Sequence, residues 1–265
     1  MNLEERLTNL KAVYDNAAKK SSKATAQDYL LRELEIETGN SFMKGKSRTL
    51  DVGCAIGYTS IEYAKRNPKI KSYGIDYSEN MIKRAEAAKK RQPEEIKNRL
   101  EFQTASVVEL PYPDNYFDVV TASRCIMALL DWDRQKKGIL EVQRVLKPGG
   151  IFVMMEGTVQ GWEKLNKTRE QFGIEPISMD TSKGLDTLKL DEKKLMPFLE
   201  KNWEVKEVKR FGMYYFISRV LHPMLVAPNK PKFNAKINKI AFEVARQIPD
   251  WNGIGHLTAF VLKKK

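Results

Sequence analysis

The stretch Thr49-Leu50-Asp51-Val52-Gly53-Cys54-Ala55-Ile56-Gly57 decides how the rest of the chain is read. Thr49–Val52 is a short, largely apolar strand. Two glycines then separate it from a helical pattern over Tyr58–Arg66. Glycine lacks a Cβ and tolerates positive φ, so such a turn lets a ligand approach the backbone closely. A strand, a glycine turn and a helix form the opening unit of an open α/β sheet. In such sheets ligands bind beyond the carboxyl ends of the strands, where the strand order reverses. Asp51, just before the turn, is placed to orient the loop or to accept a bond from a ligand ammonium.

Outward from this turn the same rhythm continues. Lys71–Ile75 reads as a strand ending at Asp76, and Asn80–Arg91 as a helix with Ser78 as its N-cap. Leu100–Gln103 and Phe117–Ala122 read as strands, the latter continuously apolar like a buried parallel strand. Asp133–Val145 is a helix, Lys147-Pro148-Gly149-Gly150 a turn, and Ile151–Met155 another buried strand. Later the rhythm weakens. Trp162–Phe172 and Asp191–Lys201 look helical with a Gly- and Ser-containing linker between them, and Trp203–Val208 and His256–Leu262 look like strands. Before all of these, residues 3–38 show helical apolar spacing, broken by the polar stretch Lys19–Lys23. The expected architecture is α/β: a doubly wound, mostly parallel seven-stranded sheet with an N-terminal helical lid and a helical insert before the last strand.

Composition narrows the class. The chain has 265 residues, 42% hydrophobic and 30% charged, enough for one well-buried domain and too apolar for disorder. No apolar run approaches the ~20 residues that span a bilayer, and the N-terminus lacks a signal core. Cys54 and Cys125 are too few for a disulfide framework, and with only His222 and His256 beside them they predict no metal site. A reduced, cytoplasmic, metal-free protein is expected. The net charge is +12, of which +8 lies in residues 159–265. That excess raises an anionic substrate, a nucleic acid or a membrane surface as partners; solubility alone is the plainer explanation.

The second piece of the cofactor signal is Tyr73-Gly74-Ile75-Asp76. An acidic residue ending the second strand is placed to take both ribose hydroxyls of an adenosine. Turn and acid together fit either a nicotinamide cofactor or S-adenosylmethionine (SAM). Three features favour SAM. The loop is Asp-x-Gly-x-x-x-Gly with Ala55 at its middle position, whereas a pyrophosphate fingerprint wants Gly-x-Gly-x-x-Gly. The loop Leu110–Asp118 precedes the fourth strand, and Arg144–Gly150 precedes the fifth.

On these residues the chain resembles the class I SAM-dependent methyltransferases, close to the small-molecule branch that includes quinone, sterol and sugar-amine enzymes. The resemblance covers residues 45–158 well, and 190–210 and 256–263 loosely. It implies that Asp51, Gly53, Cys54 and Gly57 form the first motif, that Asp76 binds the ribose, and that Tyr77 and Met81 flank the adenine. It also implies that Ser123 and Arg124, ending the fourth strand, contact the methionine moiety. Ser106, followed by Val107, stands where the family often has an aspartate on the adenine amine. Where the family often has a histidine after the fourth strand, Cys125-Ile126-Met127-Ala128 stands here, so Met127 and Leu130 suggest an apolar substrate wall. Tyr14 is carried over as the lid residue reaching over SAM. Residues 1–45 would then be the lid and 46–265 the SAM-binding domain, with substrate-side elements at about 157–190 and 212–255.

The reaction so implied moves a methyl group from SAM to an N, O or C atom of a small-molecule acceptor. No unambiguous base stands out. Glu156, Tyr215 and His222 are the catalytic candidates, because Glu156 follows the fifth strand and the others lie in the aromatic insert; Tyr214 is a further candidate, and Trp162 and Arg219 would line the pocket. His256 reads as structural. Each candidate has a plainer reading: Glu156 as a loop cap, the tyrosines and His222 as packing. Residues 234–248 form an amphipathic basic helix, a solvated face or a contact for a membrane surface or acidic partner. An RNA or protein acceptor, or a silent SAM- or nicotinamide-binding protein, are the competing functions.

Overall fold

A computed structural model describes residues 2–20, 28–178 and 187–265. The polar break at 21–23 and residues 179–186 of the linker expected before Asp191 lie outside these residues. Seven strands form one sheet: Arg48–Val52 (β1), Lys71–Asp76 (β2), Leu100–Thr104 (β3), Phe117–Ser123 (β4), Leu146–Gly157 (β5), Trp203–Arg210 (β6) and Leu257–Lys264 (β7). Their order is β3-β2-β1-β4-β5-β7-β6. The pairs β3-β2, β2-β1, β1-β4 and β4-β5 are parallel, and β7 runs antiparallel to both β5 and β6. The strand order reverses between β1 and β4, which opens a crevice at their carboxyl ends.

The helices are Leu3–Lys20 (α1), Tyr29–Asn40 (α2), Tyr58–Arg66 (α3), Glu79–Lys90 (α4), Glu94–Lys97 (α5) and Trp132–Val145 (α6). Then come Val159–Gln171 (α7), Glu192–Asn202 (α8), Gly212–Phe216 (α9), His222–Val226 (α10) and Lys236–Gln247 (α11). Side chains alternate across the sheet and bury both faces. Val52, Ile75, Val120, Met154 and Phe260 pack under α6 and α8. Val153, Met155, Leu257 and Ala259 pack under α2, α7 and the insert that holds α9 to α11. Two buried faces explain why these strands read as continuous apolar runs.

Three local findings refine the sequence reading. The turn at Lys147–Gly150 is absorbed into β5, with a register shift opposite Phe117 and Val119. Helix α2 buries Leu30, Leu31, Leu34 and Ile36 in the core, while its Arg32 and Glu35 line the crevice beside α1. Helix α11 buries Asn238, Ala241 and Ala245 and leaves Ile240 and Ile248 exposed. No helix among the described residues is long and apolar enough to cross a membrane.

The antiparallel return of β7 joins two distant parts of the chain. It brings His256, a hundred residues along the chain, beside the end of β5, where the Thr158 N–H donates to the His256 carbonyl at 2.8 Å. Helix α7 starts there on a Thr158 N-cap. A Cβ on Gly161 would lie 2.2 Å from the Gly255 carbonyl oxygen, so the backbones touch only because Gly161 has no side chain. We expect Gly161→Ala to destabilise the fold by about 2–3 kcal/mol in urea titration. Gly173→Ala, with open space but a φ of +67, should lose only about 1 kcal/mol. Equal losses would refute the contact.

Candidate functional site

The turn after β1 is built by positive φ at Gly53 (+75), Ala55 (+48) and Gly57 (+76). Ala55 thus holds a left-handed backbone that glycine would take without strain. What holds it is Asp76, whose Oδ2 accepts from the Ala55 N–H at 2.9 Å and whose Oδ1 accepts from the Ser78 N–H at 2.9 Å. The Gly53 and Cys54 N–H groups both donate to the Ile75 carbonyl at 2.8 Å, tying the turn to β2. A Cβ on Gly53 would lie 2.9 Å from Cys125 Cβ, so the floor is tight as well.

Ser78 caps α4 by accepting from the Met81 N–H at 3.1 Å, and its hydroxyl also meets Asp15 of α1. A second tie runs from Arg84 to the Ala18 carbonyl. These bonds lay α1 across the mouth of the crevice, and Leu7, Leu10, Lys11 and Tyr14 line it. The cavity beneath α1 has a volume of about 370 Å³, within the range of small-molecule sites.

Burial governs the electrostatics here. It pushes the Asp76 carboxyl above its usual range despite the two N–H donors, and the Asp51 carboxyl to about 6. The Ser60 hydroxyl donates to Asp51 at 2.8 Å and pulls the other way. Burial raises the Tyr14 phenol and the thiols of Cys54 and Cys125, which keeps all three protonated. Arg124, at φ +54, makes a bidentate pair with Glu35 of α2.

The cavity lining divides by element. One half comes from the ends of β1, β2 and β4 and the loop after β3, and contains Asp51, Gly53, Cys54, Asp76, Tyr77 and Met81. Ser106, Val107, Ser123 and Arg124 complete it, and Tyr14 comes from α1. Of the cofactor residues expected from sequence, only Gly57 lies outside the lining; it starts α3, where a Cβ would meet the Phe102 ring at 2.7 Å. The other half comes from beyond β4 and β5: Met127, Leu129, Gly157, Trp162, Lys189 and His256.

The three expected catalytic residues do not line this cavity. Glu156 lies behind the wall, where its carboxylate accepts from the Cys125 and Ile126 N–H groups at 2.9 Å and the Met127 N–H at 3.2 Å. It shapes the wall by anchoring that loop. Tyr215 is fully buried, with its hydroxyl 3.3 Å from His256 Nε2. His222 is buried against Asn238, its Nδ1 3.1 Å from that amide oxygen. Tyr214 and Arg219 bond Asp28 at the start of α2 and also stay outside. Leu130 is buried in the core, whereas Met127 and Trp162 do line the cavity.

His256 and Lys189 are the residues that sequence reasoning missed. The signal for His256 was topological: it immediately precedes the last strand, and an antiparallel last strand begins where β5 ends. Its ring packs between Trp162 and Tyr215, tilted against the first and edge-on to the second, with centroids 4.8 and 4.9 Å away. Burial, then Arg219, Arg124 and Lys189, lower its pKa to about 3, so the imidazole is neutral. Among the described residues no group of His, Cys, Asp or Glu could hold a metal ion.

Three features fit an adenosine-bearing cofactor in the first half. The Asp76 carboxylate ends β2, the Gly53 cradle leaves no room for a Cβ, and Ser123 Oγ is buried without a partner.

Comparison with known proteins agrees. Residues 50–154 match the family model for a methyltransferase domain. The chain is 32% identical over 153 residues to the demethylmenaquinone methyltransferase of Geobacillus stearothermophilus, covering 56% of this chain and 59% of that protein. It is 31% identical over 118 residues to an uncharacterized methyltransferase of Schizosaccharomyces pombe, covering 43% of this chain and 41% of that one. The match therefore spans about half the length of these relatives. A solved structure of a SAM-dependent methyltransferase from Methanosarcina mazei shares the fold, with a TM-score of 0.56 at 21% identity over 84% of this chain and 95% of that chain.

Burial also yields a pH test of the Glu156 anchor, whose pKa is raised to about 7. A carboxyl with a folded pKa above its unfolded value binds its proton first in the folded state. Its contribution to stability therefore grows as pH falls from about 7 towards 4.5. Wild type should gain melting temperature on Glu156→Gln between about pH 8 and about pH 5. A constant difference across that window would refute the burial-driven shift.

Proposed function

We propose that this chain, whose residues 50–154 match the family model for a methyltransferase domain, is a class I SAM-dependent methyltransferase that transfers the methyl group of SAM to a small, largely apolar acceptor. The observation that carries the reading is one cavity with two dissimilar halves. One carries the glycine turn and Asp76. The other is walled by Met127, Leu129 and Trp162.

When bound, SAM supplies an electrophilic methyl on a sulfonium, so the protein's task is to bind, orient and exclude water. Asp76 would take the ribose hydroxyls with the lone pairs that Ala55 and Ser78 leave free. Met81, Tyr77 and Val107 would enclose the adenine, with Ser106 offering one hydrogen bond. Ser123 and Arg124 would take the methionine end, and Asp51 its ammonium. Tyr14 would close the site from α1. Helix α1 and the Met127 loop then keep water out while the acceptor is held in line with the methyl.

Charge supports a small acceptor over RNA. Several C-terminal cations are already engaged: Arg210 with Glu192, Lys206 and Lys263 with Glu204, Arg219 with Asp28, and Arg246 with Glu37 and Glu243. The turn, strained at Ala55 instead of offering a middle glycine, supports SAM over a dinucleotide.

Calorimetry with SAM tests the assignment. Asp76→Ala should weaken SAM binding by about 2–3 kcal/mol, roughly 50-fold, through lost ribose bonds and a loosened turn. Gly53→Arg should abolish binding, since even a Cβ meets Cys125 there. Unchanged affinity in both variants, or preferential binding of NAD, would sink the reading.

A further inference from the structure

The insert between β6 and β7 ends in a surface that neither the cavity nor the core uses. Strand β7 runs antiparallel to both β5 and β6, so β6 ends at the edge of the sheet where β5 also ends. The chain leaves that edge after Arg210, returns at Leu257, and forms a helical hairpin in between. A wide turn over Ile217–Leu221 joins α9 and α10 into one rod. Helix α11 packs back along it. The start of the rod meets the chain after α11, where the Met213 N–H donates to the Pro249 carbonyl at 3.4 Å. Its other end meets the start of α11, where His222 Nδ1 lies 3.1 Å from the Asn238 amide oxygen. Residues 223–236 are therefore the tip of the hairpin, at the opposite end from its joint with the sheet.

The tip has a fixed shape and a one-sided composition. The buried Asn238 amide donates to the Lys232 and Phe233 carbonyls, both at 3.0 Å, and the Ala235 N–H donates to the Lys232 carbonyl at 3.1 Å. On this frame Met224, Phe233 and Leu225 face solvent. Leu225, 72% exposed, is the most exposed large apolar side chain among the described residues. Lys230, Lys232 and Lys236 are exposed on the same tip, and Lys239 follows one turn along α11. None of the four is ion-paired among the described residues. Residues 208–242 hold seven lysines and arginines and no aspartate or glutamate. The nearest acid beyond them in sequence, Glu243, is engaged by Arg246. Arg219, whose guanidinium lies 4.9 Å from the Phe233 ring centroid, is the tip's neighbour with a partner, Asp28.

Charge and apolarity together on one projecting end suit an anionic bilayer. Cations without a local counter-charge are drawn to a negative surface, and apolar side chains beside them enter the boundary between headgroups and acyl chains. A folded acidic partner fits less well, because a stable interface needs roughly 800 Å² a side and a few protruding side chains offer less. A second copy fits less well again, since a symmetric contact would set the same unpaired lysines against each other. We propose that the 223–236 tip docks this protein on a membrane surface rich in anionic lipid. Leu225, Met224 and Phe233 enter among the headgroups, and Lys230, Lys232, Lys236 and Lys239 meet the anionic groups of the lipids. Such docking lies on the bilayer and needs no spanning helix. It is independent of the methyl-transfer reading, because none of these residues lines the cavity.

The test is sedimentation of the full chain, without SAM, with vesicles of phosphatidylcholine alone or with about one-third phosphatidylserine. Wild type should bind the anionic vesicles at least about 30-fold more tightly. Lys230→Gln, Lys232→Gln, Lys236→Gln and Lys239→Gln together should remove most of that preference. Lys44→Gln, Lys69→Gln, Lys90→Gln and Lys167→Gln together lower the net charge equally at exposed sites elsewhere. They should leave binding within about threefold of wild type. Leu225→Ser should weaken binding by about tenfold. No preference for anionic vesicles in wild type, equal losses in the two lysine sets, or unchanged binding of Leu225→Ser would overturn the proposal. Polyglutamate bound as tightly as the vesicles would assign the tip to an acidic polypeptide instead, and a dimer broken by Leu225→Ser would assign it to a second copy; either overturns the bilayer. The comparison of the two vesicles needs wild type alone, so it holds even if a variant misfolds.

Discussion

One carboxylate holds the cofactor half of this protein together. Asp76 bridges two backbone N–H groups from segments that would otherwise be independent, Ala55 in the turn after β1 and Ser78 at the start of α4. Through Ser78 the bridge extends to Asp15 and so to α1, the cover of the cavity. The strained left-handed Ala55 keeps its conformation because its N–H has this partner. Floor, wall and cover thus share a single acid.

The other half repeats the device with a different carboxylate. Glu156 stays behind the surface and collects the N–H groups of Cys125, Ile126 and Met127, of which Cys125 and Met127 line the cavity. Both acids lie in a medium that disfavours their charge, and backbone dipoles offset that penalty. Two loops that glycine and apolar residues alone would leave loose are thereby held in one conformation each.

The contrast between these acids explains what the sequence made legible. Asp76 could be read because its role follows from local order: it ends a strand, one helix and one strand after a glycine turn. The strands β1, β2 and β4, the helix Tyr58–Arg66 and the Ser78 cap were readable for the same reason. Glu156 could be placed at the end of β5, but not assigned to one side of the wall; strand period alone does not say whether a terminal carboxylate meets ligand or backbone. Tyr215 and His222 were attractive for their chemistry, yet long-range packing buried them with His256 and Asn238. His256 and Lys189 were overlooked because β7 and the 187–190 stretch reach the cavity only through the antiparallel return and two backbone bonds to distant residues. Helix α2 looked continuous with the cover in sequence, but its apolar stripe belongs to the core.

Gly157 bears on how proteins of this shape could diverge. It ends β5 between Met127 and Lys189, where an added methyl would lie 3.3 Å from the thioether sulfur and 3.7 Å from the lysine stem. Those neighbours are flexible side chains, so a larger residue there would be tolerated by small adjustments and would shorten the chamber. The reverse step is unavailable, because nothing is smaller than glycine. At this position descent can only exchange a broad acceptor range for a narrower one, and a lineage needing larger acceptors would have to trim Met127 or Trp162 instead.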